Sequence, residues 1–136
     1  MDYEKRFNKI EEKDKWESRA KEYMNDKGKA KDLLEDAKKK AELKKNGPIG
    51  ELWDKLQLLF QVFRDWINGS YKEIPKGSLI TLIIGLAYFV TPIDMVPDFI
   101  AGLGLFDDAA VLGFIIKQLN DDLESYKVWR ENSNIQ

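Results

Sequence analysis

The sequence predicts an all-α protein, a small helical bundle, and three observations carry that reading. Apolar residues recur at spacings of three and four along most of the 136 residues. The amphipathic stretches are separated by Asn, Gly and Pro punctuation of the kind that ends helices. One segment, SLITLIIGLAYFV at 78–90, is apolar almost all round and therefore needs cover on every side. A chain of this length can bury one modest core, so one domain with an appendage is expected.

Taken in order, residues 1–46 read as a charged amphipathic helical extension of one or two helices. Tyr3, Phe7 and Ile10, then Trp16, Ala20 and Tyr23, form a narrow stripe that Gly28 is expected to interrupt. A second helix over about 29–45 places Ala30, Leu34, Ala37 and Ala41 on one face. Its lysine-rich end followed by Asn46-Gly47-Pro48 is a helix stop, because cations suit a helix C-terminus and Gly-Pro cannot easily continue the helix. Residues 47–136 are expected to form the domain proper. Leu52, Leu56, Leu59, Phe63 and Trp66, widened by Trp53, Phe60 and Ile67, predict a broad-faced helix over 50–68, with the aromatics read as core.

The apolar segment at 78–90 has two readings, a central buried helix and a membrane segment. Thirteen helical residues rise only about 20 Å, short of the roughly 30 Å hydrocarbon core. Pro92 blocks extension by disfavouring helix at Thr91. Burial is the preferred reading, and a 78–116 helical hairpin in or at a membrane is the alternative. The last helix is expected over 108–131, with Ala109, Leu112, Ile116, Leu119, Leu123 and Tyr126 as its seam and 132–136 as a frayed tail.

Between the two apolar segments lies YFVTPIDMVPDFIAGLGLFDD, residues 88–108. Thr91 reads as an N-cap with Pro92 in the first helical position and Asp94 reaching back to free backbone N–H groups. Pro97-Asp98 repeats the punctuation, Gly102 and Gly104 let the chain reverse, and Asp107 caps the last helix with Asp108 in its first turn. Tyr88, Thr91, Pro92, Asp94, Pro97, Asp98, Gly104, Asp107 and Asp108 together resemble the pattern of the YkvA-like domain, a small bacterial family of uncharacterised function, over about 52–123. The resemblance implies no reaction. It does imply that a membrane association is to be considered, since members are often described as membrane proteins on hydropathy grounds.

Composition narrows the chemistry. With no histidine and no cysteine, ordinary zinc sites, the Ser-His-Asp triad and the Cys-His dyad are excluded within one chain. The candidate site is the acidic corner: Asp94, Asp98, Asp107 and Asp108 could hold Mg²⁺ or Ca²⁺ through oxygen ligands, which would suit a carboxylate-metal enzyme. Helix capping and corner rigidity account for the same residues, as would a cationic partner such as Arg64. No catalytic residue and no cofactor is therefore expected, with a divalent cation as the alternative.

Residues 1–46 hold 15 Lys or Arg against 12 Asp or Glu, and residues 47–136 hold 7 against 12. Because the signs are interleaved, the basic half reads first as a solvated surface, though it could touch phosphates or anionic lipid. No nucleic-acid partner is expected. Gly102-Leu103-Gly104 lacks the preceding strand and third glycine of a phosphate loop. The N-terminus shows no cleaved signal pattern, so the expected location is cytoplasmic, with membrane association open. The function expected is that of a non-enzymatic interaction protein, with a protein partner, an inhibitor or immunity-type role as one version, and a homo-oligomer as an option. If Asp94 and Asp107 are caps, Asp94→Ala and Asp107→Ala each lower stability by about 0.5–2 kcal/mol in denaturant titrations.

Overall fold

The computed structural model of the chain describes residues 17–90 and 108–135. All regular structure in the described residues is helical: α1 over 17–25, α2 Lys27–Leu43, a 3-10 turn Pro48–Leu52, α3 Trp53–Ile67, α4 Lys76–Val90, α5 Asp108–Gln118 and α6 Asn120–Ile135. This is the expected all-α bundle. Tyr3, Phe7, Ile10 and Trp16 lie outside the described residues, while Ala20 of α1 is buried and Tyr23 packs against the core.

The break between α1 and α2 falls at Asp26, two residues before the glycine expected to cause it. Asp26 is extended, and its Oδ1 accepts the Lys29 amide at 3.1 Å, an N-cap that satisfies a free donor of the new helix. Gly28 sits inside the first turn of α2. The far end of α2 comes two residues earlier than expected, at Leu43, where the Lys44 amide turns back to Ala41 and Glu42 carbonyls.

The face of α2 expected from spacing is the face it buries. Ala30, Leu34, Ala37 and Ala41 are buried, joined by Leu33, and α2 packs on both α3 and α4. Three of these residues are alanines with no exposed surface, so the backbone of α2 comes close to its neighbours. Lys27 fixes the start of α2 to the end of α3: its Nζ lies 3.5 Å from the Trp66 ring centroid and donates to the Trp66 carbonyl at 3.2 Å. A cation at a helix C-terminus and over an indole face is stabilised twice.

In α3, Leu56, Leu59, Phe60, Val62 and Phe63 supply the core-facing surface. After Asn68, Gly69 takes φ of 84°, and the chain folds back so that the Tyr71 amide donates to the Asp65 carbonyl at 3.0 Å. The central element is α4, in which Leu79, Leu82, Ile83, Gly85, Leu86, Ala87, Tyr88 and Phe89 are all buried. It packs on both α2 and α5. Its two hydroxyl-bearing aliphatic residues are satisfied: Thr81 Oγ1 donates to the Gly77 carbonyl at 3.0 Å, and Ser78 Oγ donates to Asp122 of α6. The buried reading of 78–90 is thus the one the fold adopts.

The expected last helix is present with two differences. A turn at Leu119 separates α5 from α6, yet the Leu119 amide still reaches Ile115 and the Leu123 amide reaches Leu119, each at 2.9 Å. The helical course therefore passes through with little change of direction in its hydrogen bonding. The helix also continues to Ile135, past the end expected at Glu131.

α4 and α5 approach each other closely at Gly85. A Cβ added at Gly85 would lie 2.7 Å from Ile115 Cγ1 and 3.1 Å from its Cδ1, so only hydrogen fits there without displacing the β-branched side chain. Gly85→Ala should lower unfolding stability by about 1–3 kcal/mol through overpacking. Ile115→Ala in the same chain should recover part of that loss, giving less-than-additive destabilisation in a urea double-mutant cycle.

Candidate functional site

The sequence directs attention to the corner between α4 and α5. Thr91, Pro92, Asp94, Pro97, Asp98, Gly102, Gly104 and Asp107 lie outside the described residues, and Asp108 is described only as the first backbone position of α5. Among the described residues no group of three or more acidic side chains is placed to hold a metal ion. What the structure does define is the frame from which the corner springs. On the entry side, Tyr88 and Phe89 are buried in the last turn of α4.

Lys40 of α2 holds that last turn. Its ammonium donates to the Phe89 carbonyl and lies 5.0 Å from the Phe89 ring centroid. The cation thus neutralises the negative end of α4 at the point where the chain leaves for the corner. On the exit side, Val111, Leu112, Ile115 and Ile116 of α5 are buried, with Ile115 seated against Gly85. Sequence spacing found the apolar frame but did not single out Lys40, which sits in a run of lysines and differs from its neighbours only by facing α4.

A second polar arrangement was not anticipated. Asp65 is the one buried charged residue among those described, 9% exposed in the wall of α3. Tyr126 of α6, with no exposed surface, donates its hydroxyl to Asp65 Oδ2, and Arg64 Nε donates to Oδ1 at 3.3 Å. Arg64, considered from sequence as a partner for the corner acids, is thus paired here with Asp65. Tyr71 packs edge-on to Tyr126 at 5.1 Å between centroids, and Trp129 lies 4.9 Å from Tyr71 and 5.7 Å from Tyr126. The available signal was an aspartate three residues after Val62, on the buried side of an otherwise apolar helix.

The chemistry of this cluster is that of a clamp. Burial raises the Tyr126 pKa well above that of an ordinary phenol, and its hydrogen bond to Asp65 and the carboxylate charge add to the rise, against smaller opposing effects of Arg130 and Arg64. Tyr71 is raised as well, by burial and then by the charges of Glu73 and Asp122. Both phenols therefore stay protonated at neutral pH, Tyr126 as a donor to the carboxylate. Outside the cluster, Lys55 and Glu124 bridge α3 and α6 at 2.9 Å. That pair is half exposed, and such pairs add little.

Comparison with known proteins places the frame. Residues 78–114 match a family model described as a protein of unknown function, DUF1232; the match covers α4, the corner and the first part of α5. The uncharacterized membrane protein YkvA of Bacillus subtilis (strain 168) is 45% identical over 71 residues, which cover 52% of this chain and 67% of that protein. The chain belongs to the YkvA-like family. No solved structure matches it. Among the described residues of this YkvA-like chain, no helix is long and apolar enough to cross a membrane. The Asp65–Tyr126 clamp joins α3 and α6 outside the 78–114 match.

Tyr126→Phe should cost about 1–3 kcal/mol at neutral pH, because it leaves a buried carboxylate short of a donor. The phenol pKa is raised on folding above its ordinary 10.0, so this contribution is intact below pH 10 and fades as pH climbs toward the folded value. In thermal melts above pH 10, the parent protein should lose stability faster than Tyr126→Phe, and the gap between them should narrow.

Proposed function

We propose that the protein is a non-enzymatic helical interaction protein that works at the cytoplasmic surface of the membrane without spanning it, presenting helix faces to a protein partner. The observation that carries this reading is the use made of α4. Its apolar surface is spent inside the fold, with eight residues buried and α2 and α5 packed upon it, so little of it is left to face lipid tails. The likeness to a protein named as a membrane protein supports a membrane setting, and a folded bundle with an internal apolar hairpin reconciles that name with helices too short to cross. An inhibitor or immunity-type role is one form such a helix-presenting module takes.

The same name favours a second reading, in which residues 78–116 enter the bilayer as a hairpin. That requires α2 to leave Ala30, Leu34, Ala37 and Ala41 unpaired and the Lys40 contact to the end of α4 to break. The desolvation of the corner acids would add to the cost.

Fractionation separates the two. After lysis, the full chain should leave the membrane pellet on washing with high salt or alkaline carbonate and stay in solution without detergent. Release by detergent alone would overturn the peripheral reading in favour of the inserted hairpin.

A further inference from the structure

We propose that the end of α2 and the turn that follows it dock on anionic lipid headgroups, an assignment that rests on the membrane-surface reading and names the surface and lipid class it uses. The chain carries a net charge of -2, yet between Lys38 and Lys45 it places five lysines against one acid, Glu42. Ala37 and Ala41 point into the core with no exposed surface, and this orientation turns Lys38 and Lys39 outward, followed by the exposed Lys44 and Lys45. Lys40 faces α4 and is not part of the patch.

Leu43, the last residue of α2, stands 87% exposed in the middle of this charge, more than any other large hydrophobic residue described. Beside it, Lys45 Nζ lies 4.8 Å from the ring centroid of Trp53, which is itself only half-buried. An exposed leucine and an indole set among lysines match the layered chemistry of a lipid interface, where phosphates lie above and acyl chains below. A nucleic-acid backbone offers the phosphates but nothing for the leucine.

The surface is also held in shape. The Gly47 amide donates to the Lys44 carbonyl at 3.0 Å and the Gly50 amide to the Gly47 carbonyl at 2.9 Å. Gly50 comes so close to the turn that a Cβ there would lie 2.4 Å from the Lys45 carbonyl oxygen. Docking on lipid therefore does not first require ordering of this turn.

Each lysine near an anionic leaflet strengthens binding by about fivefold. Sedimentation of the full chain with phosphatidylglycerol vesicles should show binding that falls as salt is raised, since the screening length shrinks from about 10 Å at 0.1 M to about 3 Å at 1 M. Binding to phosphatidylcholine vesicles should be much weaker. The triple variant Lys38→Gln/Lys39→Gln/Lys45→Gln should bind phosphatidylglycerol about 100-fold less tightly at low salt. Leu43→Gln should bind several-fold less tightly, and both variants should keep the parent's helicity and melting temperature. If the parent binds phosphatidylglycerol but the triple variant binds equally, the patch assignment is overturned while the membrane-surface reading stands. If the parent binds neither vesicle, the lipid assignment is overturned, while the membrane-surface reading still rests on the salt and carbonate fractionation. If the triple substitution abolishes capture of an RNA oligonucleotide and leaves vesicle binding unchanged, the surface serves polyphosphate and the lipid assignment is overturned.

Discussion

A helix that is apolar on every side has to be covered, and the cover of α4 is the constraint from which the rest of the bundle follows. Burying a Leu, Ile or Phe side chain is worth about 1.5–3 kcal/mol, and α4 buries five such residues. Each neighbour meets it in its own way. α2 offers alanines and so comes close; α5 comes close because α4 itself yields space at Gly85. The few polar groups of α4 are satisfied at once, Thr81 within the helix and Ser78 across to α6, so the apolar helix carries no buried unmet donor among the described residues. At the end where its carbonyls run out, Lys40 supplies the positive charge.

Much of this was legible in the sequence because periodicity reports burial. Ala30, Leu34, Ala37 and Ala41 could be placed on one face by spacing alone, and the all-round apolar character of 78–90 implied a central position. The errors have physical reasons. Gly28 looked like the interruption between α1 and α2, but glycine can sit in a helix, whereas the Asp26 side chain stabilises a new helix start. The turn at Leu119 left no mark because leucine is a good helix former and the hydrogen bonds continue on both sides. The corner stood out in the sequence by its prolines, glycines and acids, but it lies outside the described residues, so the structure neither supports nor corrects it as a site. Asp65 and Tyr126 stand 61 positions apart, and Lys40 and Phe89 49 apart, so only the fold reveals either pair.

The polar contacts divide into two kinds of work. The clamp of Asp65, Tyr126 and Arg64, packed round by Tyr71 and Trp129, ties the end of α3 to α6, with Tyr126 fully buried and Arg64 reaching solvent. Lys40 and Lys27 instead act at helix ends, each donating to a carbonyl and lying over an aromatic ring of a neighbouring helix. Both sets join segments distant in sequence, and of their residues only Phe89 lies within the 78–114 match.

The alanine face of α2 has a consequence for how such proteins can diverge. Because α2 buries Ala30, Ala37 and Ala41 with no exposed surface while packed on α3 and α4, a larger side chain at such a contact on one helix needs a smaller one on the other. The packing face of α4 is thus matched to that of α2, although of the two helices only α4 lies within the 78–114 match. A hairpin with larger side chains on the face that α2 covers would no longer fit that cover. Exchange of the 78–114 unit between members is workable only as a matched set, with the helix that covers it travelling alongside.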